Sequence, residues 1–86
     1  MRVSKKLEYA VRALVYMASQ ENVKSFLIRD IASANKIPKK FLELILLELK
    51  NGGLLSSKRG VSGGYSFFLP PTRITLLDVY STIEGE

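Results

Sequence analysis

The sequence predicts a mainly α domain of winged helix-turn-helix class, with three or four helices and one small β-hairpin. Three observations predict it. Two helical segments, 29–35 and 38–51, are separated only by Lys36 and Ile37 before Pro38, as two helices around a short turn require. Gly52-Gly53 then stops the second segment. Beyond it, Leu54-Leu55-Ser56-Ser57-Lys58 and Tyr65-Ser66-Phe67-Phe68-Leu69 flank a glycine-rich loop, the pattern of a hairpin tip.

Ser4 is suited to cap a first helix, and Leu7, Val11, Leu14, Val15 and Ala18 recur at helical spacing down to about Gln20. Tyr9, Ala13, Tyr16 and Met17 form further apolar positions outside that stripe. A small domain has few elements to cover both faces, so the second face is expected to meet a partner chain or a missing segment. Coverage by the domain's own last helix is the alternative. Glu21 to Lys24 reads as a polar turn, and Ser25 to Ile28 as a brief strand or extended approach. The next helix places Ile28, Ile31 and Ala32 inward. Asn35 at its end, Ile37 as anchor and Pro38 in the following first turn make the junction.

From Pro38, Leu42, Ile45, Leu46 and Leu49 share one face of the second helix of the pair. Pro70-Pro71 closes the hairpin, because proline cannot continue a central strand. Thr75 with Asp78 resembles a capping box, with Asp in place of Glu. It opens a last helix through Leu76, Leu77, Val79, Tyr80 and Ile83.

With 86 residues, 47% of them hydrophobic, the chain has room for one core, a single domain over residues 1–86. Its 13 lysines and arginines against 8 acidic residues leave a net charge of +5. That balance favours a polyanionic partner, nucleic acid or an anionic membrane surface. No single helix combines the strong basic and apolar faces that a membrane-surface role needs. The hydrophobic residues after Met1 are interrupted by Glu8 and Arg12, so neither a signal-peptide core nor a spanning segment is expected.

Cysteine and histidine are both absent. That excludes disulfides, a Cys/His zinc site and a cysteine-ligated iron–sulfur cluster built from this chain, along with Ser-His-Asp and Cys-His catalysis. The lack of cysteine fits a cytoplasmic protein. The glycine loop is no Walker motif, since its lysine precedes the glycines and it joins strand to strand. Asp30, Glu43, Glu48 and Asp78 are not placed to converge as an acid/base pair, so no catalytic residue is expected.

The candidate functional residues are those of a DNA-binding surface. At 100° per residue, Lys36, Lys39, Lys40, Glu43 and Lys50 share one sector, away from the leucine face. A helix carrying lysines there can lie in a major groove. Glu43 would repel a phosphate backbone but can accept from the exocyclic amine of cytosine. An ordinary solvated carboxylate beside Lys39 or Lys40 is the competing reading. Leu44 and Leu47 fall outside the core stripe and leave three options open: thymine methyl groups, another protein, or packing under a neighbouring loop. Residues 36–59 hold six basic and two acidic side chains, +4 of the total +5. In the loop, Lys58 and Arg59 stand before Gly60, Ser62, Gly63 and Tyr65. Glycine there permits positive φ and close backbone approach, and an arginine at the root suits a narrow, negatively charged groove. Arg2 and Lys5, with Lys6, would sit at the start of the first helix within reach of backbone phosphates. Lys24, Arg29 and Arg73 read as surface charge.

These residues resemble the IscR/NsrR/CymR-type (Rrf2) bacterial transcriptional regulators. The likeness runs through Met1-Arg2-Val3-Ser4, Tyr9 to Leu14, Ile31-Ala32 and Ile37 to Glu43. Its most specific part is Leu49 to Gly60 followed by Gly63-Gly64-Tyr65, and Ile74 to Val79 with Ile83-Glu84-Gly85 complete it. The resemblance implies dimeric, sequence-specific binding of double-stranded DNA at a pseudo-palindromic operator, usually as a repressor. By that analogy Lys40 and Glu43 would face base edges, and Arg59 with Gly60 would enter the minor groove. Leu44 departs from the polar residue, often glutamine, that relatives can carry. Such relatives continue into a long dimerisation helix and often a cysteine cluster sensing iron–sulfur status or nitric oxide. No cofactor is therefore expected in this chain; a cluster would come only from that further half. A homodimer through the first helix and that missing helix is expected. A winged-helix module that binds protein, through the first helix's apolar face and Leu44/Leu47, is the alternative function.

Overall fold

In the computed structural model, which describes residues 3–58 and 64–85, four α-helices enclose one core and a two-stranded hairpin projects from it. Helix α1 is Lys5–Ser19, α2 Ile28–Asn35, α3 Lys39–Asn51 and α4 Leu76–Glu84; the strands are β1 Leu55–Lys58 and β2 Gly64–Phe67. Helix α1 packs against the other three helices, and α3 packs against α2, α4 and β1.

Ser4 caps α1 as expected, its Oγ accepting from the Leu7 N–H at 3.0 Å. The same Oγ donates to Glu84 Oε2 at 2.6 Å, tying the first helix to the last. The buried stripe of α1 differs from the expected one. It consists of Leu7, Ala10, Ala13, Leu14 and Met17, whereas Val15 is 61% exposed, Ala18 is exposed and Val11 is half-buried. Ala10 and Ala13 are 0% exposed. Their small side chains let neighbouring helices close on α1, which rotates its inward face towards them. The face expected to await a partner is covered from within. Tyr9 meets Phe41 edge-on at 5.4 Å between ring centroids, and Tyr16 meets Phe26 at 6.1 Å. Neither cover comes from the last helix.

Helix α2 buries Ile31 and Ala32. It ends at Lys36, which takes the left-handed conformation (φ 54°) in place of Asn35. Asn35 instead donates from Nδ2 to the Ile31 carbonyl at 2.8 Å. The Arg12 guanidinium donates to the Asn35 carbonyl, 23 residues away, neutralising part of the negative end of α2. Pro38 is the N-cap of α3 and not its first residue. Leu42, Ile45, Leu46 and Leu49 are each 0% exposed and form the centre of the core.

Leu55 pairs with Phe67, Ser56 with Ser66, Ser57 with Tyr65 and Lys58 with Gly64 in an antiparallel ladder. Of the two expectations for Ser25 to Ile28, the extended approach holds: a single bridge joins Phe26 to Tyr65, Leu27 is extended, and Ile28 already begins α2. Pro71 opens a 3₁₀ turn, Pro71–Arg73. The Thr75/Asp78 capping box is complete, with bonds of 2.9 and 3.0 Å. In α4 only Val79 and Ile83 are buried; Leu76 and Leu77 are 58% and 69% exposed.

Candidate nucleic-acid interface

Helix α3 divides its residues cleanly. Leucine, lysine and glutamate are good helix formers, and the alternation of leucines with charges gives one dry face and one wet one. The wet face carries Lys39, Lys40, Glu43, Leu44, Leu47, Lys50 and Asn51, all exposed. Thirteen residues make a rod about 20 Å long, enough to cross a major groove about 12 Å wide. No side chain caps its N-terminus and no acidic residue lies in its first turn. Lys39 and Lys40 occupy that turn, where their charge opposes the helix dipole.

One long-range ion pair ties α3 to α1. Lys6 donates to Glu48 at 2.8 Å, with both side chains 29% exposed. Helix α1 thereby neutralises one of the two acids on α3, and Glu43 alone faces outward with the lysines. Among the described residues, Lys36, Lys39, Lys40, Lys50 and Lys58 have no acidic side chain within ion-pairing distance.

The hairpin stands beside α3 because the Phe26–Tyr65 bridge holds it there. Phe26 N–H donates to the Tyr65 carbonyl and Tyr65 N–H to the Phe26 carbonyl, both at 2.7 Å. Gly64 makes that approach possible: a Cβ there would sit 2.4 Å from the Phe26 carbonyl oxygen. Between α3, the start of α2 and the hairpin lies an open cleft. It is lined by Arg29, Lys39 and Lys58 as cations, with Glu43, Ser57 and Tyr65 among its other residues. Tyr65 is half-buried. Burial first, and then the nearby negative charge of Glu43, push its hydroxyl above the usual tyrosine range.

Of the residues singled out by sequence, Lys39, Glu43, Lys58 and Tyr65 converge on this cleft. Lys40 and Lys50 share the exposed face of α3 without lining it. Lys5 stands apart, 3.7 Å from Glu8 and 5.7 Å from the Tyr9 ring centroid. Arg2, Arg59, Gly60, Ser62 and Gly63 lie outside the described residues. Arg29, read as plain surface charge, belongs to the cleft together with Ser57. Its place in the first turn of α2, beside the extended segment that carries Phe26, was the available signal. Leu44 and Leu47 are 47% and 44% exposed, so they do not pack beneath a loop.

Residues 3–86 match the Rrf2 family, described as iron-dependent transcriptional regulators. The chain belongs to the Rrf2 family. It is 42% identical over 85 residues to a Mycobacterium tuberculosis protein named as an HTH-type transcriptional regulator, covering 99% of this chain and 53% of that one. It is 31% identical to the HTH-type transcriptional regulator CymR of Bacillus subtilis, covering 99% and 62%. The solved structure of B. subtilis CymR, titled the global cysteine regulator, superposes with a TM-score of 0.92 at 29% identity, over 100% of this chain and 67% of that one. IscR of T. potens gives 0.89 at 29% identity, over 99% and 62%. The winged-helix class read from the sequence is the fold these Rrf2 relatives share. The chain spans about half the length of the curated relatives it matches. The iron in the family description finds no fitting ligands here. The sequence has no cysteine or histidine, and among the described residues no three acidic groups could share a metal ion. Among those residues, too, no helix is long and apolar enough to cross a membrane.

Proposed function

We propose that this chain is the DNA-binding part of an Rrf2 transcriptional regulator, acting as a repressor in the cytoplasm without a catalytic role. The observation that carries this reading is the unpaired lysine surface of α3 and its cleft, from which Glu48 has been withdrawn by Lys6. Lys39, Lys58 and Arg29 hold backbone phosphates on either side of an inserted duplex edge. Lys40 and Glu43 on α3 face the bases of the major groove. The hairpin lies along the backbone so that its tip, with Arg59, Gly60, Ser62 and Gly63, enters the neighbouring minor groove. Arg2 and Lys5 contact phosphates from the start of α1. The chain itself binds no cofactor.

The operator is double-stranded and pseudo-palindromic, and the protein reads it as a homodimer. The apolar surface for pairing lies on the side of α1 opposite to that expected from sequence. Val11, Val15 and Ala18 border a shallow hollow of about 220 Å³ with Ile74, Leu76 and Val79. This apolar surface also favours a second reading, a winged-helix module that binds protein.

Fluorescence anisotropy with duplex DNA across a salt series, together with selection from a random duplex pool, tests the proposal. The expected result is log affinity falling by roughly 0.9 per phosphate contacted for each unit of log salt, with enrichment of a palindrome. Absence of binding even at low salt refutes it and leaves the protein-binding module.

A further inference from the structure

We propose that Leu44 is a base-reading residue that recognises thymine through its C5 methyl group; the inference rests on the DNA-binding reading above. Leu44 contributes nothing visible to the fold. The inner face of α3 is completed by Leu42, Ile45, Leu46 and Leu49 at 0% exposure, while Leu44 is 47% exposed. On a helical wheel it lies 40° from Lys40 on one side, with Leu47 and Glu43 within 60° of Lys40 on the other. Leu47 is therefore set inside the charged sector, and Leu44 borders it next to Lys40.

The surroundings decide what meets this apolar spot. An apolar protein surface laid here would have to desolvate Lys40, Glu43 and Lys50 without partners, which is costly. A duplex gives the lysines phosphates on both walls of the groove and gives the centre of the helix base edges. Among the four bases only thymine presents an apolar group to the major groove. Leu44 stands in the second turn of α3, in the N-terminal part from which a recognition helix reaches base edges. Leu47, 44% exposed and three residues further on, shields that contact from water.

The test replaces each thymidine of the selected duplex, one at a time, by deoxyuridine. This keeps every hydrogen-bonding group and removes only the methyl. Anisotropy is measured with the whole chain and with Leu44→Ala, whose fold is checked by circular dichroism. Expected is one thymine position per half-site at which deoxyuridine weakens the wild type about fourfold, the factor that burying one methyl group represents. Leu44→Ala flattens that position and leaves the others unchanged. Tight duplex binding with a flat deoxyuridine scan overturns the proposal. So does a methyl effect that survives Leu44→Ala. Failure to bind any duplex overturns the DNA-binding reading beneath it, and is recognised because the unmodified duplex already fails.

Discussion

Replacing Gly64 by alanine should detach the hairpin from the body of the domain. The added Cβ would lie 2.4 Å from the Phe26 carbonyl oxygen and 2.8 Å from its carbonyl carbon. These are backbone atoms, so no flexible side chain can swing aside, and the strand must retreat. Retreat stretches the reciprocal Phe26–Tyr65 bonds, each now 2.7 Å. Each backbone bond contributes about 1 kcal/mol net, and Phe26, 5% exposed, loses part of its packing. Against this, alanine restricts the unfolded chain more than glycine and returns up to about 1 kcal/mol. The expected net loss is about 1–3 kcal/mol, a large fraction of the roughly 4–13 kcal/mol typical of a domain this size. Urea unfolding followed by circular dichroism reads the loss. Native-state hydrogen exchange should show faster opening at the amides of Phe26 and Tyr65. Gly53→Ala is the contrast: its φ of +87° strains alanine, but nothing lies within 4 Å of the new Cβ, so the bridge amides keep their protection. A Gly64→Ala variant within about 0.5 kcal/mol of wild type, with unchanged exchange at Phe26 and Tyr65, would refute the reasoning.

Three further outcomes are expected. A double-mutant cycle on Lys6→Ala and Glu48→Ala should give a coupling energy of about 1 kcal/mol, read by urea unfolding, because the pair meets at 2.8 Å and is largely shielded from water. Thr75→Ala should cost about 1 kcal/mol, since it removes one half of the capping box and leaves the Asp78 N–H unpaired; thermal or urea unfolding measures it. Tyr65 has its folded pKa raised above the ordinary value of 10.0. Its contribution to stability is therefore complete below that pH and lost as pH climbs through the folded pKa. In an ultraviolet phenolate titration, Glu43→Gln should bring that transition down, and Tyr65→Phe should abolish it.

What sequence could show depended on whether the determinant was local. The Ser4 cap, the Thr75/Asp78 box, the four core leucine-type positions of α3 and the paired strands all follow from spacings of a few residues, and the structure holds them. The outward lysines of α3 were equally legible, because helical geometry alone separates them from Leu42 and Leu49. The inward face of α1 was not. Ala10 and Ala13 carry little hydrophobic signal, yet their small size decides which side the other helices approach. Nor could spacing reveal partners far apart in the chain: Lys6 with Glu48, Arg12 with the end of α2, Phe26 with Tyr65. Those contacts turn Glu48 away from the candidate interface and bring Arg29 into it. Glycine's capacity for close approach was legible in the loop; at Gly64 it serves the approach to Phe26 of the same chain, while Gly60 and Gly63 lie outside the described residues.

Dimethyl sulfate footprinting on the selected duplex measures where DNA meets the protein. The reagent methylates guanine N7 in the major groove and adenine N3 in the minor groove. Helix α3 in the major groove and the hairpin tip in the minor groove predict protected guanines at the centre of each half-site, with protected adenines flanking them, and Lys40→Ala should weaken binding to the whole site. Binding with every guanine N7 left open would contradict the placement of α3, whatever the affinity.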